Sequence, residues 1–463
     1  MEKTGDPPAD GLHLSGRSRR VLIAVTSTMV LLVLDSSIVG VMLPSITADL
    51  ELSTVSQAWV VSSYLLALAV LLPVGGKLAD AYGAVSMFRA GMAGFVLASV
   101  GIALADGAAS IIAWRAIAGG AGALLMPATM SILVSTFPAE TRARALSIYL
   151  GVGQAFAVVG PAFGGLCAQF IGWQWGFLIN IPVGLTGLLL VSLSRPTNQR
   201  TPVQSWDLLG ILTLTIGLTG VVLALLQGPD WGWTALATLV CAVLGAGCLI
   251  YFACRSLRSD NPLLDLRLFS VPAFSISSTV LFCVGLITTA ATIYGAVVMQ
   301  ESLGLSPAAS GLALLPLVIP LLLTTRWAGR HYNAVGPRRI AMAGALSAAA
   351  GLFIIAQGLA MMALWQVCAG LILVGGAIGL LLTPMTTAGL SAAPTEQRGQ
   401  ASGLISTGRQ LGGIIGVGLF SALIALQPET EGRSGVVVGF TLCAGMLLLV
   451  AIVARRLPRR AAG

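Results

Sequence analysis

Residues 31–44 read LLVLDSSIVGVMLP and place a single carboxylate, Asp35, inside an otherwise apolar run. Residues 21–34 are mostly apolar, and apolar residues resume directly after Ser36 and Ser37. A charge at the centre of a membrane helix costs roughly 2.5–3.5 kcal/mol on insertion scales, so it persists only where it is paired, protonated or functional. The stretch raises two questions: whether the chain spans a membrane, and what Asp35 does there.

The composition of the whole chain answers the first question. Of its 463 residues, 56% are hydrophobic and only 9% are charged, and the mean hydropathy is +0.93. A soluble chain of this length needs a more charged surface. Apolar runs of about eighteen or more residues recur along the sequence, as in membrane helices. We therefore predict an all-α polytopic membrane protein, and the polar residues 1–20 do not indicate a cleavable signal peptide.

Fourteen apolar runs are long enough to be predicted as membrane spans. They cover residues 21–46, 55–75, 89–105, 110–136, 145–169, 175–193, 207–227, 235–254, 272–300, 309–328, 339–360, 364–390, 400–427 and 433–455. An even number of spans places both termini on the same side of the membrane.

The positions of Lys and Arg predict the orientation, because loops rich in these residues stay cytoplasmic. All but three of the 25 lie in the tails or in loops that follow even-numbered spans. The exceptions are Arg115 and Arg409 inside spans and Arg433 in an opposite-side loop. We therefore expect a plasma-membrane protein with both termini in the cytoplasm. Its pI of about 9.5 reflects this topology and does not require a nucleic-acid partner.

An ordered series of matches relates the first part of the chain to the last. At a shift of 253 residues, Leu52-Ser53, Gly76 and Gly83 recur as Leu305-Ser306, Gly329 and Gly336. At a shift of 256, Gly119-Gly120-Ala121, Pro138, Glu140, Arg142, Gln154 and Gly160 recur as Gly375-Gly376-Ala377, Pro394, Glu396, Arg398, Gln410 and Gly416. Two parallel halves with a site between them are the plan of an alternating-access transporter.

The repeat predicts the domain organisation. A six-helix bundle is expected at 21–194 and its counterpart at 272–455, with cytoplasmic tails at 1–20 and 456–463. Residues 195–271, which contain spans seven and eight, match neither half. They are predicted to form an inserted two-helix hairpin with flanking loops.

Six motifs resemble signatures of the major facilitator superfamily, and specifically of its fourteen-span drug:proton antiporter family. They are LDSSIVGVMLP (34–44), GKLADAYGAVSMFR (76–89), WRAIAGGAGA (114–123), GQAFAVVGPAFGG (153–165), GWQWGFLINIPVG (172–184) and RGQASGLISTGRQLGG (398–413). The resemblance covers essentially the whole chain. It implies the major facilitator fold with 14 transmembrane helices and multidrug or antibiotic export by antiport with protons.

Two of these motifs imply parts that move. In the loop signature, the resemblance implies that Gly76, Asp80 and Gly83 form a latch that breaks as the transporter opens, although Ala81, Ala84 and Val85 stand where the family has basic residues. In span five, Gly160-Pro161 and Gly164-Gly165 are expected to bend the helix and to let a neighbour approach closely. Ordinary tight packing accounts for these glycines equally well; the resemblance adds that the bend seals the cavity.

Asp35 is the only carboxylate predicted deep inside a span. At 1.5 Å per residue it lies about 20 Å from the cytoplasmic start of its helix, and Arg115 lies near the outer end of span four. Since both spans border the central cavity in the family's fold, we predict that the two side chains are neighbours. They form either a permanent ion pair that fixes packing or, as the resemblance favours, a proton-coupling pair that responds to water access.

Candidate residues for the substrate cavity follow from the repeat. Arg409 is predicted near the midplane of span thirteen, together with Gln410 and its repeat-related partner Gln154. Arg409 could bond to carbonyls across a helix break near Gly412-Gly413, or it could bind an anionic or carbonyl-bearing substrate. Tyr64 could also line the cavity, although packing in the core explains it as well.

Missing motifs narrow the function. The chain contains no GxxxxGK[ST] motif, and its only histidines, His13 and His331, lie in polar segments, so neither an ATP-driven pump nor a histidine-based enzyme is expected. We predict a non-enzymatic, proton-driven exporter of small amphipathic drugs, antibiotics or metabolites. Import of a small metabolite and a non-transporting sensor or scaffold are the alternatives. The expected partners of this monomer are its substrate, protons and membrane lipids, with no cofactor, metal or nucleic acid.

Overall fold

The computed structural model describes residues 16–196, 198, 207–259, 262–394, 398–426 and 433–458, and within these ranges every regular element is a helix. The first half contains α1 (Gly16–Leu50), α2 (Thr54–Tyr82), α3 (Ala84–Ala103), α4 (Ala108–Thr136), α5 (Ala139–Leu166), a π-helical turn (Cys167–Ile171), α6 (Gln174–Leu178) and α7 (Asn180–Ser194). The hairpin is α8 (Leu208–Trp231) and α9 (Leu236–Arg258), followed by a 3₁₀ turn at Leu266–Ser270. The second half contains α10 (Pro272–Glu301), α11 (Pro307–Ala313), α12 (Leu315–Val335), α13 (Pro337–Ala360), α14 (Leu364–Ala392), α15 (Arg398–Ala425) and α16 (Arg433–Ala454).

The predicted membrane spans have helical counterparts in the structure. Thirteen of the described helical segments are long and apolar enough to cross a membrane, and a bent pair over 151–171 forms a fourteenth. Helices α6 and α7 together make one span, as do α11 and α12. Predicted spans three and five begin at 89 and 145, whereas α3 begins at Ala84 and α5 at Ala139. The first turns of α5 read AETRAR and are too polar to belong to an apolar run, whereas α3 also includes residues 84–88, which precede Arg89.

The helices pack as two similar groups of six spans. In the first group α4 packs between α2 and α3, and α1 packs against α5 and α7. In the second group α14 packs between α12 and α13, and α10 packs against α15. The α8–α9 hairpin lies beside them, and α8 contacts both α2 and α15, one helix from each group. The predicted all-α major facilitator architecture, with two six-helix halves and an inserted hairpin, is confirmed.

Local geometry repeats between the halves at the positions that the sequence shift relates. Ser53 and Ser306 each cap the next helix, and their hydroxyls accept hydrogen bonds from the backbone amides of Ser56 and Ala309. Gly83 and Gly336 each separate two long helices with positive φ angles of 93° and 85°. These angles favour glycine, because a Cβ would be strained there.

One closely packed helix pair in each half is built in the same way. A Cβ added at Gly119 on α4 would overlap the carbonyl oxygen of Tyr64 on α2. A Cβ added at Gly375 on α14 would overlap the carbonyl oxygen of Leu317 on α12. Tyr64 and Leu317 are themselves 253 residues apart, so the sequence repeat is a repeat of backbone contacts.

The base of the hairpin is held by an ion pair. Asp207 caps α8 by accepting a hydrogen bond from the Gly210 amide at 2.9 Å, and it contacts the Arg255 guanidinium of α9 at 2.9 Å. One carboxylate therefore ties the beginning of α8 to the end of α9.

Candidate functional site: a polar cavity between the two halves

A cavity of about 310 Å³ lies between the two six-helix halves. Its wall is formed by α1, α2, α4 and α5 from the first half and by α10, α12 and α15 from the second. Most of the lining is apolar. The polar residues on the wall are Ser36, Ser37, Tyr64, Arg115, Thr288, Thr289, Thr292, Arg409 and Gln410. An apolar cavity with a few converging polar groups has the character of a small-molecule site.

Asp35 of α1 and Arg115 of α4 form an ion pair next to this cavity. Arg115 Nη1 lies 2.6 Å from Asp35 Oδ2, and the side chains are 0% and 1% exposed for the aspartate and the arginine. Arg115 Nε also donates to the carbonyl oxygen of Val60 at 3.0 Å. The predicted proximity of the two side chains is confirmed, while their role in proton coupling stays a prediction.

The two members of the pair differ in their access to the cavity. Arg115 and Tyr64 line the wall, whereas Asp35 lies behind them and contributes no part of it. The Arg115 guanidinium carbon is 4.5 Å from the centroid of the Tyr64 ring and 5.9 Å from that of Phe177, which are distances of cation–π contacts. Any proton that reaches Asp35 from the cavity therefore passes Arg115 and Tyr64.

Asp35 is incompletely bonded. Its Oδ1 atom is buried and has no hydrogen-bond partner within the described ranges. A buried carboxylate oxygen left unbonded is costly, so Arg115 is the group that compensates the Asp35 carboxylate.

Arg409 reaches the same cavity from α15 without a charged partner. Its stem passes across Gly285 of α10, where an added Cβ would lie 3.2 Å from Arg409 Cγ and would overlap the Arg409 carbonyl oxygen. The side chain is partly buried, and among the described residues no ion pair or hydrogen bond to it is found. Its guanidinium is thus presented to the cavity.

The interpretation of Arg409 as a bridge across a helix break is wrong. Helix α15 runs without interruption through Gly412 and Gly413. These glycines serve helix packing instead, because a Cβ at Gly412 would overlap the Phe282 carbonyl oxygen of α10. Tight contact between α10 and α15, rather than a bend, explains the two small residues.

The other predicted cavity residues are only partly accounted for. Tyr64 and Gln410 lie on the wall with Arg409. Gln154 belongs to α5, but its side chain lies outside what the structure describes. Whether any of these residues binds a substrate stays a prediction.

Sequence reasoning missed three threonines of α10 that face the cavity. Thr288, Thr289 and Thr292 lie on its wall, and their spacing puts them on one helix face. Hydroxyl residues at such spacing within an apolar span were the available signal. The same segment packs closely on α1, because a Cβ added at Gly40 would lie only 2.8 Å from the Thr292 carbonyl oxygen.

The glycines of span five pack α5 against α1. The span bends by 40° between residues 157 and 159, one turn before Pro161, as expected where proline removes a helix hydrogen bond. A Cβ at Gly160 would overlap the Ser37 hydroxyl, and one at Gly164 would lie 3.0 Å from Ile38 Cβ. Both the expected bend and the close approach of a neighbouring helix are present.

The same segment of α5 also contacts the second half. A Cβ at Gly165 would overlap the carbonyl oxygen of Pro307 on α11, and one at Gly311 would overlap the carbonyl oxygen of Pro161. Gln169 Oε1 accepts a hydrogen bond from the Ala308 amide at 3.2 Å. The two halves therefore meet backbone to backbone at one end of the cavity, which Pro161 also lines.

The loop signature makes a different contact from the charged one that the family suggests. Asp80 is exposed, and no partner for it is found in the described part of the chain, while Gly76 has open space beside it. Gly83 packs against Asn198, which accepts a hydrogen bond from the Val85 amide and donates one to the Ser86 hydroxyl, both at 3.0 Å. An uncharged asparagine that sequence reasoning missed thus anchors this loop, and the latch role of Asp80 and Gly83 stays a prediction.

A second cavity of about 570 Å³ adjoins the first. It is lined by the beginning of α2 and by the ends of α10 and α15, with Thr54, Gln57 and Glu301 among its polar residues. Val61 and Ile293 line both cavities. These two apolar side chains stand between the central cavity and the side of the protein that the charge distribution predicts to be external.

Comparison with known proteins identifies the family. A family model described as Major Facilitator Superfamily matches residues 25–417. The chain is 34% identical over 427 residues to the tetracenomycin C resistance and export protein of Streptomyces glaucescens, covering 90% of this chain and 78% of that protein. It is 32% identical over 442 residues to the cephamycin export protein CmcT of Amycolatopsis lactamdurans, covering 92% and 89%.

Solved structures agree with this assignment at the level of the fold. The crystal structure of a peptide transporter, POT, in complex with sulfate superimposes with a TM-score of 0.69 over 98% of both chains, at 16% identity. Together with the family match, this similarity indicates a transporter rather than an enzyme. The chain belongs to the major facilitator superfamily.

Proposed function

We propose that this protein exports small amphipathic molecules from the cell by alternating access, driven by protons that flow inward. The observation that carries the proposal is the buried Asp35–Arg115 pair, directly behind the wall of a cavity between two six-helix halves. The names of the relatives support export, since those quoted above are described as export proteins for tetracenomycin C and cephamycin.

The movement of protons and substrate would be coupled because Asp35 and the substrate space compete for Arg115. With Asp35 ionised, the carboxylate holds the guanidinium in the ion pair at the edge of the cavity wall. When water and protons enter from the acidic outer side, protonation of Asp35 removes that attraction, and Arg115 can turn toward the substrate space. Release of the proton to the cytoplasm restores the pair. Burial opposes the charged carboxylate while the arginine favours it, so a change in hydration can tip the balance.

The remaining predicted roles belong to the same proposal. The transporting unit would be a single chain in the plasma membrane with both termini in the cytoplasm. The contact of Gly165 with Pro307 would seal one end of the cavity, and the loop at Asp80 and Gly83 would rearrange as the other end opens. The Asn198 contacts support a hinge at Gly83, because they tie this loop to the segment after α7.

Everted membrane vesicles test the coupling directly, because export then appears as energy-dependent dye uptake. Asp35→Asn should reduce uptake to the level of uncoupler-treated vesicles, since the amide cannot exchange a proton, while the protein remains in the membrane at its normal level. Asp230→Asn is the matched control, because Asp230 is exposed at the end of α8. Undiminished uncoupler-sensitive uptake by Asp35→Asn would contradict the role.

A further inference from the structure

The central cavity carries an uncompensated positive charge. Arg115 and Arg409 are the only charged residues on its described wall. Arg115 is matched by Asp35 at 2.6 Å, whereas Arg409 has no acidic partner within the described ranges. Since a guanidinium stays protonated, the described residues give the cavity, which is mostly apolar, a net charge of +1.

Four of the hydroxyl groups on the wall cannot serve as hydrogen-bond donors to a ligand while they keep their present bonds. Ser36 and Ser37 donate to the carbonyls of Val33 and Leu34, each at 3.0 Å. Thr288 and Thr292 donate in the same way to carbonyls of their own helix, at 2.6 and 2.8 Å. Their oxygens remain available only to accept.

The cationic and amide donors that stay available are concentrated on α15, while the hydroxyls of Tyr64 and Thr289 are further donors on the wall. Arg409 offers the N–H groups of a planar fork, and the adjacent Gln410 offers an amide. Arg115 is less available, because its Nε and Nη1 are bonded to Val60 and Asp35. Planar guanidinium groups bind carboxylates through two parallel hydrogen bonds, so the donor set fits an anionic head group.

The position of Arg409 is constrained by the backbone rather than by a flexible loop. Its stem crosses Gly285 on α10, and any larger residue there would collide with it. Leu65, Leu68 and Leu321 lie on the same cavity wall and can accept an apolar body. A volume of about 310 Å³ suits a compact ring system that carries one charged group.

We propose that the exported substrate is a small amphipathic monoanion and that Arg409, assisted by Gln410, binds its carboxylate or sulfonate group. This inference rests on the proposed function and narrows it, because cations of the same size would meet an unpaired guanidinium. Loading with a monoanion neutralises the cavity, which removes the electrostatic cost of the unpaired cation.

A competition assay on the purified wild-type protein in nanodiscs tests the charge preference. N-phenyl-1-naphthylamine, a neutral dye that fluoresces in apolar surroundings, reports occupancy of the cavity, with empty nanodiscs subtracted. We expect 1-naphthoate to displace the dye and 1-naphthylmethylammonium, which shares its ring system, to displace it at least about tenfold more weakly. Equal or stronger displacement by the cation would overturn the proposal.

Variants assign the preference to Arg409. Arg409→Gln should weaken 1-naphthoate competition by about tenfold or more while the neutral dye binds within about twofold of wild type, which also shows that the variant is folded. Arg409→Lys keeps the positive charge but loses the planar guanidinium, so its competition by 1-naphthoate should be intermediate between wild type and Arg409→Gln. Arg455→Gln, which removes an exposed cation beyond the end of α16, should change nothing. If Arg409→Gln does not fold, Arg409→Lys must still lower anion affinity selectively.

Other results are equally decisive. A loss of anion and neutral dye binding in the same proportion for Arg409→Lys would mean that Arg409 only supports the fold. Competition by chloride as strong as that by 1-naphthoate would mean that the site holds inorganic anions only, and either result overturns the inference. Anion-selective binding without uncoupler-sensitive transport would instead contradict the proposed function and leave only the anion-binding role of Arg409 standing.

Discussion

At the scale of single residues, the Asp35–Arg115 pair is asymmetric. Asp35 is fully buried and keeps one oxygen unbonded, while Arg115 borders the cavity and also contacts Val60 and Tyr64. Loss of the arginine leaves a carboxylate without compensation, whereas loss of the carboxylate leaves an arginine that water in the cavity can solvate. The two substitutions are therefore not equivalent.

This asymmetry predicts suppression of one substitution by the other. Arg115→Gln should destabilise the purified protein by about 3–5 kcal/mol, because it leaves a buried charge unpaired, and adding Asp35→Asn should recover much of that loss. Thermal unfolding in detergent measures both effects. Stability losses that simply add in the double variant would show that the residues do not act as a pair.

At the scale of helices, close packing is set by glycines that face backbone. Gly119 and Gly375 occupy equivalent positions on α4 and α14, and each faces a carbonyl oxygen of the helix beside it. The neighbouring Gly376 is different, since a Cβ there would meet Thr324 Cγ2 at 3.7 Å and Pro320 Cβ at 3.9 Å, which are ordinary contacts. Adjacent glycines of one motif thus differ in how closely they pack against the neighbouring helix.

We therefore expect different outcomes from two neighbouring alanine substitutions. Gly375→Ala should force α12 and α14 apart and destabilise the protein by about 1–3 kcal/mol, the usual cost of overpacking. Gly376→Ala should be neutral or slightly stabilising, because alanine favours helix. Unfolding temperatures of the two variants against wild type provide the measurement, and similar temperatures would contradict this account of the helix contact.

At the scale of the whole molecule, the distribution of charge predicts the orientation, and the inserted hairpin contacts both halves. Helix α8 packs on both α2 and α15, where a Cβ at Gly418 of α15 would lie 2.6 Å from Leu225 Cδ2 of α8. The hairpin therefore covers a seam across which the halves would have to move during transport. The halves also meet at the Gly165–Pro307 and Gly40–Thr292 contacts, so motion of one half against the other is restricted at several places.

The distribution of Lys and Arg predicts that the C-terminus is cytoplasmic. A fluorescent protein fused after Leu457 should fluoresce, and alkaline phosphatase at the same position should be inactive, because each reporter folds on one side only. Phosphatase inserted between Ser302 and Ser306 should be active. The opposite pattern would reverse the orientation, and with it the direction of the proposed proton and substrate flow.

The sequence was sufficient to predict the class of fold and its plan. Apolar runs of membrane length, the matches at shifts of 253 and 256, and six motifs predicted fourteen spans in two halves with a hairpin between them. These features can be predicted from the sequence because they depend on hydropathy, on the spacing of repeated residues and on the backbone freedom of glycine. All of these are local properties of the chain. The partnership of Asp35 with Arg115 was also predictable, since an isolated charge within a span requires a partner.

Tertiary structure alone determined what surrounds each of these residues. Asp35 lies behind the cavity wall, Arg409 has no partner among the described residues, and Asn198 anchors the loop at Gly83. All three depend on how helices from distant parts of the chain meet. Sequence periodicity specifies which residues share a helix face but not which helix that face contacts. The charge of the cavity is the sum of side chains brought together by packing, so only the assembled molecule reveals it.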